Sequence, residues 1–291
     1  MVFSSNIPPR EQIEIAKAVK QIKGQLLVGV ETPIGSDLPM LLRRLGIILM
    51  EYPVHRAGSN SFSAIYVRAQ VDGKPVCFLG LNTADYYDRQ LFAIAHELYH
   101  FQNEGLPHIS RESSNGNPDE QRADWFAAEL LLPLQVLHEL IQAAFEQQNL
   151  SAVPFQSLIR FIAQVHCTWW LPYRSIVHRL YEAGAIDEDL RSKLFAIDER
   201  DPAGVYYRIG AATSPENFKL LNTVTNRTGT DGANLETCLR NYEDGIIAED
   251  ELFKGLQLFG VTPEDFGISF LPDDTSEEDD EPEAGGGQDA N

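Results

Sequence analysis

The residues best equipped for chemistry are His96-Glu97-Leu98-Tyr99-His100, a histidine pair four positions apart with an acid beside the first. In a helix four residues advance about 400°, so His96 and His100 project from nearly the same face and can offer two imidazole nitrogens to one metal ion. Glu97 stands about 100° round the helix from His96, where a carboxylate reaches a water beside the ion rather than the ion itself. With 7 His in 291 residues, chance predicts on the order of 0.01 such H-E-x-x-H motifs per chain. A two-histidine site needs a third protein ligand, and Glu120 offers one. Asp124, four residues further on, lies on the same helical face. Glu120 would complete a two-His, one-Glu set with a fourth position open for solvent. Asp124 can accept a hydrogen bond from the second ring nitrogen of a ligating histidine and so fix its tautomer and orientation.

Those side chains need two helices held close together, and the flanking pattern supplies them. From Tyr86 to about Glu104, Leu91, Ile94, Leu98 and Phe101 recur at steps of three and four, an apolar stripe that anchors the helix by its back. The stretch GLPHISRESSNGNP reads as a loop, and Asn117-Pro118 opens the next helix, DEQRADWFAAELLLP, which Pro133 should break. Ala123, Ala127 and Ala128 are small enough to let the two helices approach. Upstream, Pro8-Pro9 leads into an amphipathic helix with Ile13, Ala16 and Val19 on its apolar side, stopped by Gly24. A short helix, DLPMLLRRLG, ends at Gly46. Three β-rich runs follow, IILMEYPV, FSAIYVRAQ and PVCFLGLN, and their turn signals predict an antiparallel sheet. An extended substrate would pair with an exposed edge of that sheet, on a strand between residues 47 and 82. Downstream come a helix to Asn149, a helix-turn-helix-like unit over residues 155–183, a less regular stretch around GVYYRIG, and two helical pieces between residues 233 and 260.

The run D-R-Q-L-F-A-I-A-H-E-L-Y-H over residues 88–100, followed by E-Q-R-A-D-W-F-A-A-E-L-L-L-P over residues 120–133, resembles the ImmA/IrrE family of cytoplasmic zinc metallopeptidases, within the larger gluzincin group. The likeness covers residues 10 to 150, including Leu45 to Ile47 and Gly80-Leu81-Asn82, and extends loosely to Arg179-Leu180-Tyr181-Glu182-Ala183-Gly184. Tyr99 stands where such motifs commonly carry Gly, and Asp124 where many members carry Asn. The resemblance implies a zincin-like domain in which His96, His100 and Glu120 hold Zn2+ and Glu97 is the catalytic base. The oxyanion of the transition state needs a hydrogen-bond donor, and Tyr99, His108 and Tyr87 are candidates by proximity in sequence. Family members cleave helix-turn-helix repressors, so a protein substrate of that kind is implied, with roles in stress response and transcription regulation.

The expected fold class is α+β. Residues 1–149 form the zincin-like domain, 150–200 a helix-turn-helix-like helical domain, 201–271 a mainly helical region, and 272–291 an acidic disordered tail. Lys plus Arg is 23 and Asp plus Glu is 43, a net charge of −20, which disfavours general attraction to nucleic acid. Nine of the acids lie in the tail, without any Lys or Arg, a composition that buries too little apolar surface to order itself. Cys77, Cys167 and Cys238 form no C-x-x-C pair, and no stretch approaches 18 uninterrupted apolar residues, so a cytoplasmic protein without a membrane span is expected. A reading from another class competes with the peptidase: a DNA- or partner-binding regulator whose zinc is structural. Its support is Arg160, Arg174 and Arg179, a basic stretch without acids over residues 155–181.

Overall fold

The computed structural model describes residues 7–55, 62–71, 74–103, 108–111, 117–230, 232–258 and 261–268. The acidic tail lies outside the described residues. Helix α1 (Pro9–Gln25) has Pro9 in its first turn, where the missing N–H is not needed. Its buried face runs through Ile15, Val19 and Ile22, while Ile13 is exposed, so the helix is rotated from the expected Ile13, Ala16, Val19 stripe. Lys23 explains the rotation, because it joins the buried face by donating from Nζ to the carbonyls of Val30 (2.7 Å) and Thr32 (3.1 Å). A buried ammonium is tolerated only when so bonded, and burial still pushes its pKa down to about 8. Helix α2 (Leu38–Leu41) is one turn flanked by tighter 3-10 turns. The 3-10 turn that follows it, Leu42–Leu45, stops at Gly46, whose φ of 69° is the left-handed conformation that favours glycine.

The sheet contains β1 (Ile47–Tyr52), β2 (Phe62–Val71), β3 (Lys74–Asn82), β4 (His108–Arg111) and β5 (Gly229–Thr230), in the order β4-β2-β3-β1-β5. The α+β class holds, but the sheet is mixed rather than wholly antiparallel: β1 runs parallel to β3, with Ile47 opposite Cys77 and Tyr52 opposite Asn82. The β2–β3 hairpin turns back so that β3, not β2, lies beside β1. Alternation of apolar and polar residues is the same for either direction, so the sequence pattern does not distinguish them. Strand β4 falls inside the stretch expected to be loop. It is four residues long, too short for a periodic signal, and forms by pairing with β2. Strand β4 pairs with β2 only over Phe62–Tyr66 and β5 with β1 only over Met50–Glu51, so the outer strands cover part of the edges that residues 47–82 form.

Behind the sheet lie α3 (Tyr87–Gln102) and α4 (Pro118–Leu131), and then α5 (Leu134–Phe145), α6 (Phe155–Trp169), α7 (Tyr173–Glu182), α8 (Glu188–Phe195), α9 (Val205–Thr213) and α10 (Pro215–Leu221). Helices α9 and α10 replace the irregular stretch expected around GVYYRIG. The glycine that argues against a helix is there for packing: a Cβ on Gly210 would sit 2.1 Å from the Phe218 ring. One hydrophobic cluster runs from Ile7 to Phe218 and crosses residue 149 without a break. Helices α6 and α7 form the expected helix, turn, helix. Helix α7 is mostly buried, however, with Arg179 held by Glu129 and Glu182 and Arg174 paired with Glu199 at 3.3 Å. Arg174 and, on α6, Arg160 are exposed, whereas Arg179 is fully buried. The chain continues into a hairpin of α11 (Gly232–Glu243) and α12 (Glu249–Leu258), in which Leu252 and Leu256 are fully buried. Among the described residues no helix is long and apolar enough to cross a membrane.

Candidate metal centre

Helix α3 is buried on nearly every side. Leu91, Ile94 and Leu98 are fully buried as the stripe predicts, and His96, Glu97 and His100 are buried too. What covers them is α4. Asn117 caps that helix by accepting a hydrogen bond from the Asp119 amide (3.0 Å), and Pro118 occupies its first position. This start places Glu120 in the first turn and turns Ala123 and Ala127, both fully buried, into the seam with α3.

The seam brings three candidate ligand side chains together. His96 Nε2 lies 3.4 Å from His100 Nε2 and 3.4 Å from Glu120 Oε2, and His100 Nε2 lies 3.6 Å from Glu120 Oε1. A tetrahedral ion bound at 2.0–2.1 Å separates its ligands by about 3.3–3.4 Å. The separations are close to that value, with Glu120 facing the two histidines through different oxygens, and the three side chains could hold a metal ion. On the far side of its ring, His96 Nδ1 donates to Asp124 Oδ1 at 2.9 Å, which leaves the Nε2 lone pair for the ion. Burial opposes a charge on His96, but the hydrogen bonds to Asp124 and Glu120, with the nearby charge of Glu97, raise its pKa to about 10. The pocket thus attracts positive charge, whether a proton or a cation. Glu97, next to His96 in sequence, is fully buried.

The remaining candidates divide. Tyr99 is half-buried, edge-on to His100 at 5.4 Å and against Phe126 at 5.9 Å. Arg122 of α4 binds Glu11 (2.7 Å) and Asp119 (2.9 Å). The backbone of His108 pairs opposite Tyr66 on β4, and its side chain lies outside the described residues. Tyr87 opens α3, nine residues before His96, about 13 Å along the axis at 1.5 Å per residue, and it packs edge-on to Trp170. It does not belong to the site. Beyond these candidates, the structure puts His178 beside Asp124: both line one small cavity between α4 and α7, and His178 Nε2 lies 3.0 Å from Glu182. The signal was present as the spacing of Ser175, His178 and Glu182 on one helical face, without any hint of what that face met.

A histidine pair one turn apart with an acid beside it, clasped by a second helix that brings a carboxylate, is the architecture of a metallopeptidase of the H-E-x-x-H kind. Comparison with known families narrows this. Residues 44–166 match Peptidase_M78, the IrrE N-terminal-like domain, so that stretch is similar to peptidase domains of the ImmA/IrrE type. No curated protein matches the chain. His96, Glu97, His100, Glu120 and Asp124 all fall within the matched residues, whereas α7 lies beyond them.

Proposed function

We propose that this protein is a cytoplasmic zinc-dependent endopeptidase that cleaves a regulatory protein, such as a helix-turn-helix repressor, in a stress or mobile-element response. The observation that carries the reading is the convergence of His96, His100 and Glu120 at ligand separations of 3.4 to 3.6 Å beside the buried Glu97. Zinc held by those three residues would supply Lewis acidity, polarising the scissile carbonyl and easing loss of a proton from the attacking water. Glu97 takes that proton and passes it to the leaving amine, as its burial beside His96 allows. Asp124 keeps the His96 Nδ1 proton in place, so the ring cannot turn its other nitrogen to the ion. The choice of a repressor as substrate rests on the likeness to the ImmA/IrrE family.

Zinc content and cleavage of purified helix-turn-helix repressors, measured together on wild type and Glu97→Gln, test the reading. The variant should keep one zinc per chain and lose cleavage by at least about 100-fold, the scale of a general base. A Glu97→Gln protein that cuts as well as wild type sinks the assignment.

A further inference from the structure

Between α4 and α7, next to the metal centre, the chain encloses a cavity of about 20 Å³. That is room for one water molecule, which needs roughly 10–15 Å³ and two to four polar partners. Its polar walls are Asp124 and Gln121 from α4 and Ser175, His178 and Glu182 from α7. Ser175 is 1% exposed and its Oγ has no hydrogen-bond partner among the described residues. A buried hydroxyl in that position is seldom left unsatisfied. Asp124, on the opposite wall, is the residue whose Oδ1 accepts the His96 Nδ1 proton at 2.9 Å.

We propose that Ser175 is a positioning residue for the metal centre: its hydroxyl and the Asp124 carboxylate share one buried water, so that α7 helps to fix the carboxylate that orients His96. This rests on the metallopeptidase reading above, and it adds to that reading a contribution from outside the matched residues 44–166. Helix α7 is well anchored for the task. Arg179, fully buried, binds Glu129 of α4 and Glu182, and its guanidinium lies 4.9 Å over the Trp125 ring. The clamp to α4 lies one turn along α7 from Ser175, which lines the same cavity as Asp124. A shared water adjusts to both groups and bonds nearly as well as a direct contact.

The test compares wild type, Ser175→Val and Ser175→Thr as full chains. Valine removes the hydroxyl and fills the space of the water, whereas threonine keeps the hydroxyl. Zinc affinity is read by chelator competition, ligand geometry by the visible spectrum of the cobalt-substituted protein, and folding by the melting temperature without metal. The expected result is about a tenfold loss of zinc affinity in Ser175→Val, at the lower end of what outer-shell partners contribute. It should come with an altered cobalt spectrum and an unchanged metal-free melt, and Ser175→Thr should stay near wild type. Unchanged affinity in Ser175→Val, or equal loss in both variants, overturns the proposal. Wild type that binds neither metal overturns the underlying metallopeptidase reading instead. Should Ser175→Val fail to fold, a high-resolution crystal structure of the wild type decides: a water bridging Ser175 Oγ and Asp124 supports the proposal, and a dry cavity overturns it.

Discussion

Helix α3 takes part in two buried clusters of histidine and carboxylate, one at its N-terminus and one in its C-terminal half, and they are built on opposite electrostatic plans. At the N-terminus, Asp88 is fully buried and receives Arg200 Nη2 at 2.7 Å on each of its oxygens, with His166 Nε2 3.3 Å from Oδ2 and His166 Nδ1 2.6 Å from the Tyr206 hydroxyl. The protein brings its own cation there. Burial opposes ionisation of Asp88, yet His166 and Arg200 hold its pKa below the usual carboxylate value. In the C-terminal half, lone pairs of His96, His100 and Glu120 converge on one point instead. A buried histidine beside a carboxylate therefore does not in itself mark a metal site. What separates the two clusters is whether a guanidinium already fills the point of convergence.

The most severe way to break this contrast is to delete one histidine from each cluster. His100→Ala should reduce bound zinc from one per chain to none, while His166→Ala should keep its zinc and lose stability. Metal analysis of the two purified proteins decides it. A chelator should lower the melting temperature of wild type and leave that of His100→Ala unchanged, since binding at a thousandfold excess over Kd is worth about 4 kcal/mol of stability. Loss of zinc from His166→Ala would mean that the two clusters are one unit.

Next in size is the ion pair. Asp88→Asn leaves the largely buried Arg200 without its carboxylate, a change that costs about 3 kcal/mol or more. The pH dependence follows from the lowered pKa of Asp88. A carboxyl depressed in the folded state stabilises fully above its unfolded value, about 3.9, and loses that contribution as pH falls through the folded value. Wild type should thus weaken below about pH 4, and Asp88→Asn, already weaker at neutral pH, should show a shallower acid limb in denaturant melts. Equal acid limbs would show that Asp88 is not the titrating group.

The two clusters also differ in how far the sequence discloses them. His96 and His100 are one helical turn apart, so local periodicity puts them together, and Glu120 and Asp124 follow the same rule on the next helix. The Asp124 to His96 bond spans only 28 positions. Asp88 and Arg200 are separated by 112 positions, and no local pattern pairs an acid with an arginine at that range. The same limit hid Ser175 and His178: their helical spacing was visible, but the face of α4 they meet was not. Strand direction is equally silent, because β1 alternates in the same way whether β3 runs with it or against it. On α1, Val19 is buried as its spacing suggests but Ile13 is not, and Lys23, a polar residue, is drawn inward by two backbone carbonyls.

The smallest effect sharpens the contrast most, because it reaches the metal centre through backbone alone. Asn117 touches none of the ligands, yet its side chain caps α4 three residues before Glu120. Removing an N-cap side chain costs about 1 kcal/mol and loosens the first turn of a helix. Glu120 lies in that turn, and ligation pins it, so the metal-free protein should suffer more from Asn117→Ala than the zinc-bound protein. Linkage then requires the same difference to appear as weaker zinc binding, up to about fivefold for 1 kcal/mol. Asn117→Asp, which keeps an accepting oxygen, should restore both melt and affinity. The Asp88 cluster provides the control: it lies at the start of α3, is closed by Arg200 rather than by an ion, and its acid limb should be unaffected by either Asn117 variant. If melts with and without zinc fall equally in Asn117→Ala, the cap stabilises α4 as a whole, and the first turn is not the element through which the helix presents its carboxylate.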